Sequence, residues 1–392
     1  MPDFKLNDRE ILTVDCLYDI YIDRREQGQR NLNLMSNSAF SEEDFKKQSE
    51  QCGEALDLLR AQDYVGAQDI LEKLSNDGNL VAKTDLAKMH FDKLVKNPDF
   101  TLAKTLINEA INNKFWFAYN VLGSVFELGK GEEVDLKKAF DCYDLAAKNG
   151  DGSGMYNKGR FYYFGIGTRQ NIADAIMWFG KAAHKDNEKA CFLMGEILLS
   201  GEHLERDLEM ATNFFERGAT LGSSDCQNRL GIMYQKGLGR QKDFNQAYSL
   251  FMLSSLQNDP LGHYLLGAMY MNGVGIEKDV LRAFELFTKS ADQGLAEAHL
   301  ELGAIYGKGE VTPKDRQKSI RHYEIAAKQG NALANSNLGI IYLNGDGADQ
   351  NVELGVEYLA KAAQLGDDGA KSMLVELKQK YGIDTGETPD IQ

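Results

Sequence analysis

The chain has 392 residues, 43% of them hydrophobic and 26% charged, with a formal net charge of −15. That is ample apolar material for a core, while so acidic a balance argues against general nucleic-acid binding, which needs Lys and Arg to neutralise phosphates. It argues equally against attachment to anionic lipid.

The first stretch, MPDFKLNDREILTVDCLYDI, has no basic segment followed by an apolar run, so no secretory signal is expected. No run approaches the ~18 apolar residues of a membrane span. Within residues 1–44, NDREILTVDCLYDIYIDRRE reads as an amphipathic helix with Ile11, Leu12, Leu17, Tyr18 and Tyr21 available for packing. A polar link, QGQRNLNLMSNSAFSEED, follows it. Cys16, Cys52, Cys142, Cys191 and Cys226 form no CxxC and no regular pairing, which reads as reduced thiols in a cytoplasmic protein.

The stretch EALDLLRAQDYVGAQDILEKLSNDGN predicts a helical hairpin, and NLVAKTDLAKMHFDKLVKNPDF after it lacks glycines, with Ala87 where later segments place one. From there a period of 36 residues runs without a slip: Gly123, Gly159, Gly195, Gly231, Gly267, Gly303 and Gly339. An aromatic follows three places later (Phe126, Tyr162, Tyr234, Tyr270, Tyr306, Tyr342), with Leu198 as the exception. A column of Asp or Asn runs from Asp63 to Asn351, and a small-residue column runs four places behind it, from Ala67 to Gly355. Several columns held over so many periods define a tandem array. The 5 prolines against 38 glycines suit helices joined by glycine turns.

Within a period, NRLGIMYQKG predicts a first helix, and FNQAYSLFMLSS a second helix with Asp243 as its N-cap. Glycine at 231 and alanine at 247 would let the two helices approach closely. The Gly-x-Gly of YQKGLGRQKD, Gly237 and Gly239, looks at first like a phosphate-binding loop. It recurs as Gly129/Gly131, Gly165/Gly167, Gly273/Gly275 and Gly345/Gly347, so it is expected to be a turn that ends the first helix in the left-handed conformation.

Such a unit, clearest in AEAHLELGAIYGKGEVTPKDRQKSIRHYEIAAKQGN and ALANSNLGIIYLNGDGADQNVELGVEYLAKAAQLGD, resembles the Sel-1-like repeat family, a relative of the tetratricopeptide repeat. The resemblance covers roughly residues 81–381, and the hairpin before it is similar to an ordinary tetratricopeptide unit. It implies an all-α fold, an α/α right-handed superhelix (solenoid) of 36-residue helix-turn-helix repeats. The array is expected over residues 45–381, with 382–392 as a flexible C-terminal tail. The family's use implies a non-enzymatic scaffold or adaptor that holds another protein on a concave surface, without cofactor, nucleic acid or membrane insertion. Some secreted members tied to cell-wall compounds carry a regular cysteine pair within repeats, and this chain does not.

By analogy with tetratricopeptide arrays, the first helix of each repeat faces the concave side. Its non-signature positions include Tyr156, Arg160, Tyr163, Phe192, Glu196, Asn228, Gln235, Tyr264 and Met271, which are taken as candidate partner contacts or, for several aromatics, as filling of a curved core. Phe115 and Trp116 stand at an inter-repeat turn where other repeats place glycine and a polar residue. They mark either a contact site or a surface covered by the N-terminal helix. His263 and His299 share a column in consecutive repeats, so their side chains are candidates to lie side by side, although a metal site would require further ligands. No Ser/His/Asp or Cys/His set is recognisable, so no catalytic or metal residues are assigned. Two narrower functions stay open: an inhibitor or immunity-type protein that sequesters an effector or toxin, and a small-molecule hydrolase.

Overall fold

The computed structural model describes residues 41–382, and among these every regular element is an α-helix. The amphipathic helix expected before residue 27, nearly all of the polar link and the tail after Gly382 lie outside the described residues. The chain divides into two compact units, one ending at Leu221 and one beginning at Gly222.

The first unit contains α1 (Glu42–Gln51), α2 (Gly53–Arg60), α3 (Tyr64–Asn76), α4 (Leu80–Phe91), α5 (Phe100–Asn112), α6 (Ala118–Leu128), α7 (Leu136–Lys148), α8 (Gly152–Phe164), α9 (Ile172–His184), α10 (Glu188–Ser200) and α11 (Leu208–Thr220). The second contains α12 (Ser224–Lys236), α13 (Phe244–Leu256), α14 (Pro260–Asn272), α15 (Val280–Asp292), α16 (Ala296–Lys308), α17 (Arg316–Lys328), α18 (Ala332–Asn344), α19 (Val352–Gln364) and α20 (Asp368–Tyr381). Each unit is an α/α solenoid in which successive helices pack as antiparallel neighbours.

The periodic columns account for the hairpins. Asp63, Asp99, Asp135, Asn171, Asp207, Asp243, Asp279, Asp315 and Asn351 each cap a second helix, the side chain accepting a bond from an otherwise unpaired amide of the first turn. The backbone amide of the capping residue donates in turn to the carbonyl of the aromatic column, as from Asp243 to Tyr234 at 3.0 Å and from Asp279 to Tyr270 at 3.0 Å. Because a carbonyl makes this bond, it also forms at Leu198, where Asp207 donates at 3.1 Å.

Glycine in the first helix has a specific neighbour. The rings of Tyr143, Phe179, Phe215, Phe251, Phe287 and Tyr323 pack against Gly123, Gly159, Gly195, Gly231, Gly267 and Gly303, leaving no room for a β-carbon. In the earliest repeat-like pair the glycine becomes Ala87 and the ring column reads Ile107, both fully buried in the same core. A smaller side chain on one helix thus accompanies a larger one on the other.

The two glycines of the turn do different jobs. Gly237 ends α12 with φ of 71°, the left-handed cap foreseen from the sequence. The second glycine sits against the start of the preceding repeat's second helix. A β-carbon at Gly167 would collide with the backbone of Leu136, and one at Gly275 with the Cβ of Phe244. Gly-x-Gly is therefore a joint between repeats as well as a helix stop.

At the N-terminal end, Ser41 caps α1 and Asp44 bonds back to Ser41, so the helix starts inside the segment read as a linker. Phe45 of α1 stacks on Phe117 at 4.7 Å and on Phe115 at 6.2 Å between ring centroids. Phe115 is buried, not displayed at a turn, and α1 is the helix that covers it. Trp116 is half-buried and stacks on Tyr119 at 6.2 Å. Lys114 before them takes φ of 61°, the left-handed conformation that glycine supplies at other inter-repeat turns.

Candidate functional site

In the first unit, α8 presents Tyr156, Arg160, Tyr163 and Phe164 on one face, since residues three and four apart are neighbours on a helix. Facing them, α10 contributes Leu193, Glu196, Ile197 and Ser200, and the turn after it adds Glu202 and His203. Phe179 of α9 is buried beneath, its ring centroid 5.9 Å from that of Tyr156 and 6.2 Å from that of Tyr163. These side chains enclose an open cavity of about 370 Å³.

Two polar side chains of this groove, Arg160 and Tyr163, are held by partners. The Arg160 Nη2 donates to both carboxylate oxygens of Glu127 at 2.6 Å, and the Tyr143 hydroxyl donates to the same carboxylate at 2.7 Å. Arg160 is thus fixed in the wall by a charge-assisted network and does not project as an anchor. Tyr163 shares a hydrogen bond of 3.0 Å between its hydroxyl and the His203 Nε2, and burial raises its phenol above the ordinary value. The rim is apolar: Phe164 is 63% exposed and sets its edge against Tyr163 at 5.0 Å.

Of the residues singled out from the sequence, Tyr156, Arg160, Tyr163 and Glu196 are brought together around this cavity. Phe192 lies outside it and tilts over Phe215 at 6.0 Å. In the second unit, Asn228 is buried, and its Nδ2 donates at 2.8 Å to Asp259, the cap of α14, which makes it a framework residue. Gln235, Tyr264 and Met271 are half-buried in the second unit. His203, Glu202, Phe164 and Phe179 were not anticipated. For His203 a signal was present: it occupies the column of the second turn glycine, as Val311 does in a later repeat, and neither adopts the positive φ of those glycines.

The histidines do not pair as their shared column suggested. His263 hydrogen-bonds the Ser255 hydroxyl at 2.7 Å and Asn258 at 3.1 Å. His299 instead meets His322 within its own repeat, Nδ1 to Nδ1 at 2.9 Å, with Tyr306 stacked on His322 at 5.4 Å. Burial, and then the neighbouring His299, lower the His322 pKa to about 4. The folded chain therefore favours neutral His322. The stabilisation is complete above the unfolded value near 6.5 and is lost as pH falls towards 4. As pH falls from 6.5 towards 4 this group should progressively lower the stability of the second unit. Thermal midpoints measured across that range for the wild type and His322→Gln would check it: the variant should show the shallower decline.

Burial pushes the thiols of Cys52, Cys142 and Cys191 up to about 11, 12 and 11, which is the opposite of what a nucleophilic cysteine requires. Among the described residues no group of three or more His, Cys, Asp or Glu side chains is placed to hold a metal ion, and no helix is long and apolar enough to cross a membrane.

Fold and groove together define a helical-repeat protein that presents side chains on the first helices of its hairpins. The family model described as Sel1 repeat matches residues 116–151, 152–187, 188–223, 224–259, 260–295, 296–331 and 332–367. The chain belongs to the Sel1 repeat family. It is 28% identical over 182 residues to the ERAD-associated E3 ubiquitin-protein ligase component HRD3B of Arabidopsis thaliana, covering 43% of this chain and 29% of that protein. It is 30% identical over 138 residues to cytochrome c oxidase assembly factor 7 of Xenopus tropicalis, covering 33% of this chain and 59% of that one. Among solved structures it is similar to c5321, a protective antigen of uropathogenic Escherichia coli with an SLR fold, at a TM-score of 0.64 and 28% identity over 81% of this chain and 68% of that chain. A Sel1 repeat protein from Oxalobacter formigenes matches at a TM-score of 0.55 and 26% identity, covering 78% of this chain and 89% of that one. The chain spans under a third of the length of HRD3B and of chitin synthase regulatory factor 1 of Schizosaccharomyces pombe, another curated relative.

Proposed function

We propose that the protein is a non-catalytic scaffold or adaptor of the cytoplasm, and that the groove between α8 and α10 receives a segment of another protein. The observation that carries this reading is the cavity of about 370 Å³, walled by Tyr156 and Tyr163 and rimmed by the exposed Phe164 on a rigid helical frame. Preformed apolar pockets with aromatic walls are where binding energy concentrates in protein interfaces. Relatives named as a ligase component and as an assembly factor support the same reading. A binding role fits the polar groups better than catalysis does, because Arg160 with Glu127, and Tyr163 with His203, are committed to each other.

Phe164→Asp tests it. The residue stands at the rim, so the variant should unfold at the wild-type temperature, while a partner captured from the native host and identified by cross-linking should bind about thirtyfold more weakly. Undiminished affinity of Phe164→Asp for that partner would rule the groove out.

A further inference from the structure

The stretch from Phe244 to Ile276, α13 with the first helix of the next repeat, holds a single Asp, Glu, Lys or Arg, Asp259, in a chain that is 26% charged. That carboxylate is committed: it caps α14 and accepts from Asn228 and Ser254. α13 itself carries no charge at all.

The inward side of α13 follows the other second helices, with Ala247, Leu250, Phe251 and Ser254 buried as the helix packs on α12 and α14. Its outer side departs from them. Ser249, Met252, Leu253 and Leu256 stand exposed at three- and four-residue spacing, which sets them in one stripe along the helix. Met252 is 37% exposed, Leu253 50% and Leu256 77%. One repeat later, α15 places the exposed charges Glu285, Lys289 and Asp292 in the columns of Ser249, Leu253 and Leu256. In the same columns α17 has Arg321 and Lys328, and α19 has Glu357 and Lys361, all exposed. Three second helices of the unit thus charge this face, and α13 leaves it apolar. Exposed leucines scattered singly need no reason, but an uncharged apolar stripe marks a contact.

The charge balance indicates what covers it. At a net charge of −15, two copies of the chain repel wherever their acidic surfaces meet, and like charges set against each other cost affinity. A basic partner gains from those acidic surfaces, so it has no cause to choose the one face without charge. A partner of the same sign does, and another copy of this chain is such a partner, bringing an identical apolar stripe. We propose that the outer face of α13 is a contact between two copies of this chain, with Leu253 and Leu256 of each packed on the other. The contact is isologous, one patch serving both chains. One face of a 13-residue helix, about 20 Å long, falls short of the ~800 Å² per chain of a standard interface. The dimer is therefore weak, half-formed at roughly 10–100 µM.

Sedimentation velocity of the full chain, run at rising concentration up to about 200 µM, tests this. The mass should climb from that of one chain towards that of two, and about 0.5 M salt should strengthen association by screening the remaining repulsion. Leu256→Gln should weaken the dimer about tenfold, and Leu253→Glu with Leu256→Glu should leave only monomer. Both side chains are exposed, so thermal midpoints should match the wild type. Leu333→Glu, at a 58% exposed leucine of α18, should dimerise as the wild type does, and so should Phe164→Asp, which separates this contact from the α8–α10 groove. A wild type that stays monomeric, association that weakens in salt, or equal losses in Leu256→Gln and Leu333→Glu would each overturn the inference. So would a different protein captured through Leu256 by a chain that remains monomeric.

Discussion

Gly195→Ala should destabilise the first unit by about 1–3 kcal/mol, while Gly180→Ala should stabilise it by roughly 0.5–1 kcal/mol. Both glycines are helical, and alanine is the better helix former at each, so propensity alone predicts the same sign. Surroundings separate them. A β-carbon on Gly195 would lie 2.5, 2.6 and 2.8 Å from three ring carbons of Phe215, whereas one on Gly180 meets nothing within 4 Å. Phe215 is fully buried and its ring has nowhere to go. Urea unfolding of the two variants decides the matter: two shifts of the same sign would mean that the glycine column does not serve ring packing. The chain suggests its own rescue, since Ala87 and Ile107 are the pair where glycine and ring are both absent. Phe215→Ile should therefore recover part of the loss in the Gly195→Ala background, giving a measurable coupling between neighbours.

The second large effect is expected at Asp144. Lys158 is buried, its side chain 6% exposed, with its ammonium paired to Asp144 and 3.8 Å from the centroid of Trp178. Burial lowers the Lys158 pKa, and Asp144 offsets only part of that. Burial also raises Asp144, but hydrogen bonds from Lys148 and Lys158 outweigh it and hold the carboxyl below its usual value. Removing the carboxylate with Asp144→Ala would leave a buried cation with the rings of Trp178 and Tyr162 and the weaker pull of Asp174, at a cost of about 3 kcal/mol at neutral pH. The deficit should shrink as pH rises towards that of an unfolded lysine near 10.4, because the fold then favours the neutral amine. Replacing both residues, Asp144→Ala with Lys158→Met, should restore most of the stability. A double variant no more stable than Asp144→Ala alone would show that the ammonium is not the source of the loss.

What the sequence revealed was what the framework repeats. The capping carboxylates, the small-residue column and the turn glycines could be read because each repeat sets the same local geometric requirement, and the same residue type meets it. The reason for the first-helix glycine was half legible: close approach was foreseen, but the ring that fills the gap lies twenty positions away on the partner helix. The groove was less legible, because side chains there answer partners outside their own column. Arg160 looked like an anchor until Glu127, thirty-three residues earlier, proved to hold it. Asn228 looked available until Asp259 took its amide. The choice left open at Phe115 could not be made from the sequence for the same reason, since Phe45 arrives from a helix that carries no repeat signature.

The joint made by the second turn glycine has a consequence for how such a chain changes length. Where the second turn glycine is described against a neighbour, the turn uses the head of the second helix one repeat back as its seat: Phe100 for Gly131, Leu136 for Gly167, Phe244 for Gly275 and Arg316 for Gly347. Loss or duplication of one whole period leaves every surviving turn with an equivalent seat, whereas an excision out of phase strands a turn against the wrong surface. Array size is therefore free to drift in steps of 36 residues while the phase stays locked.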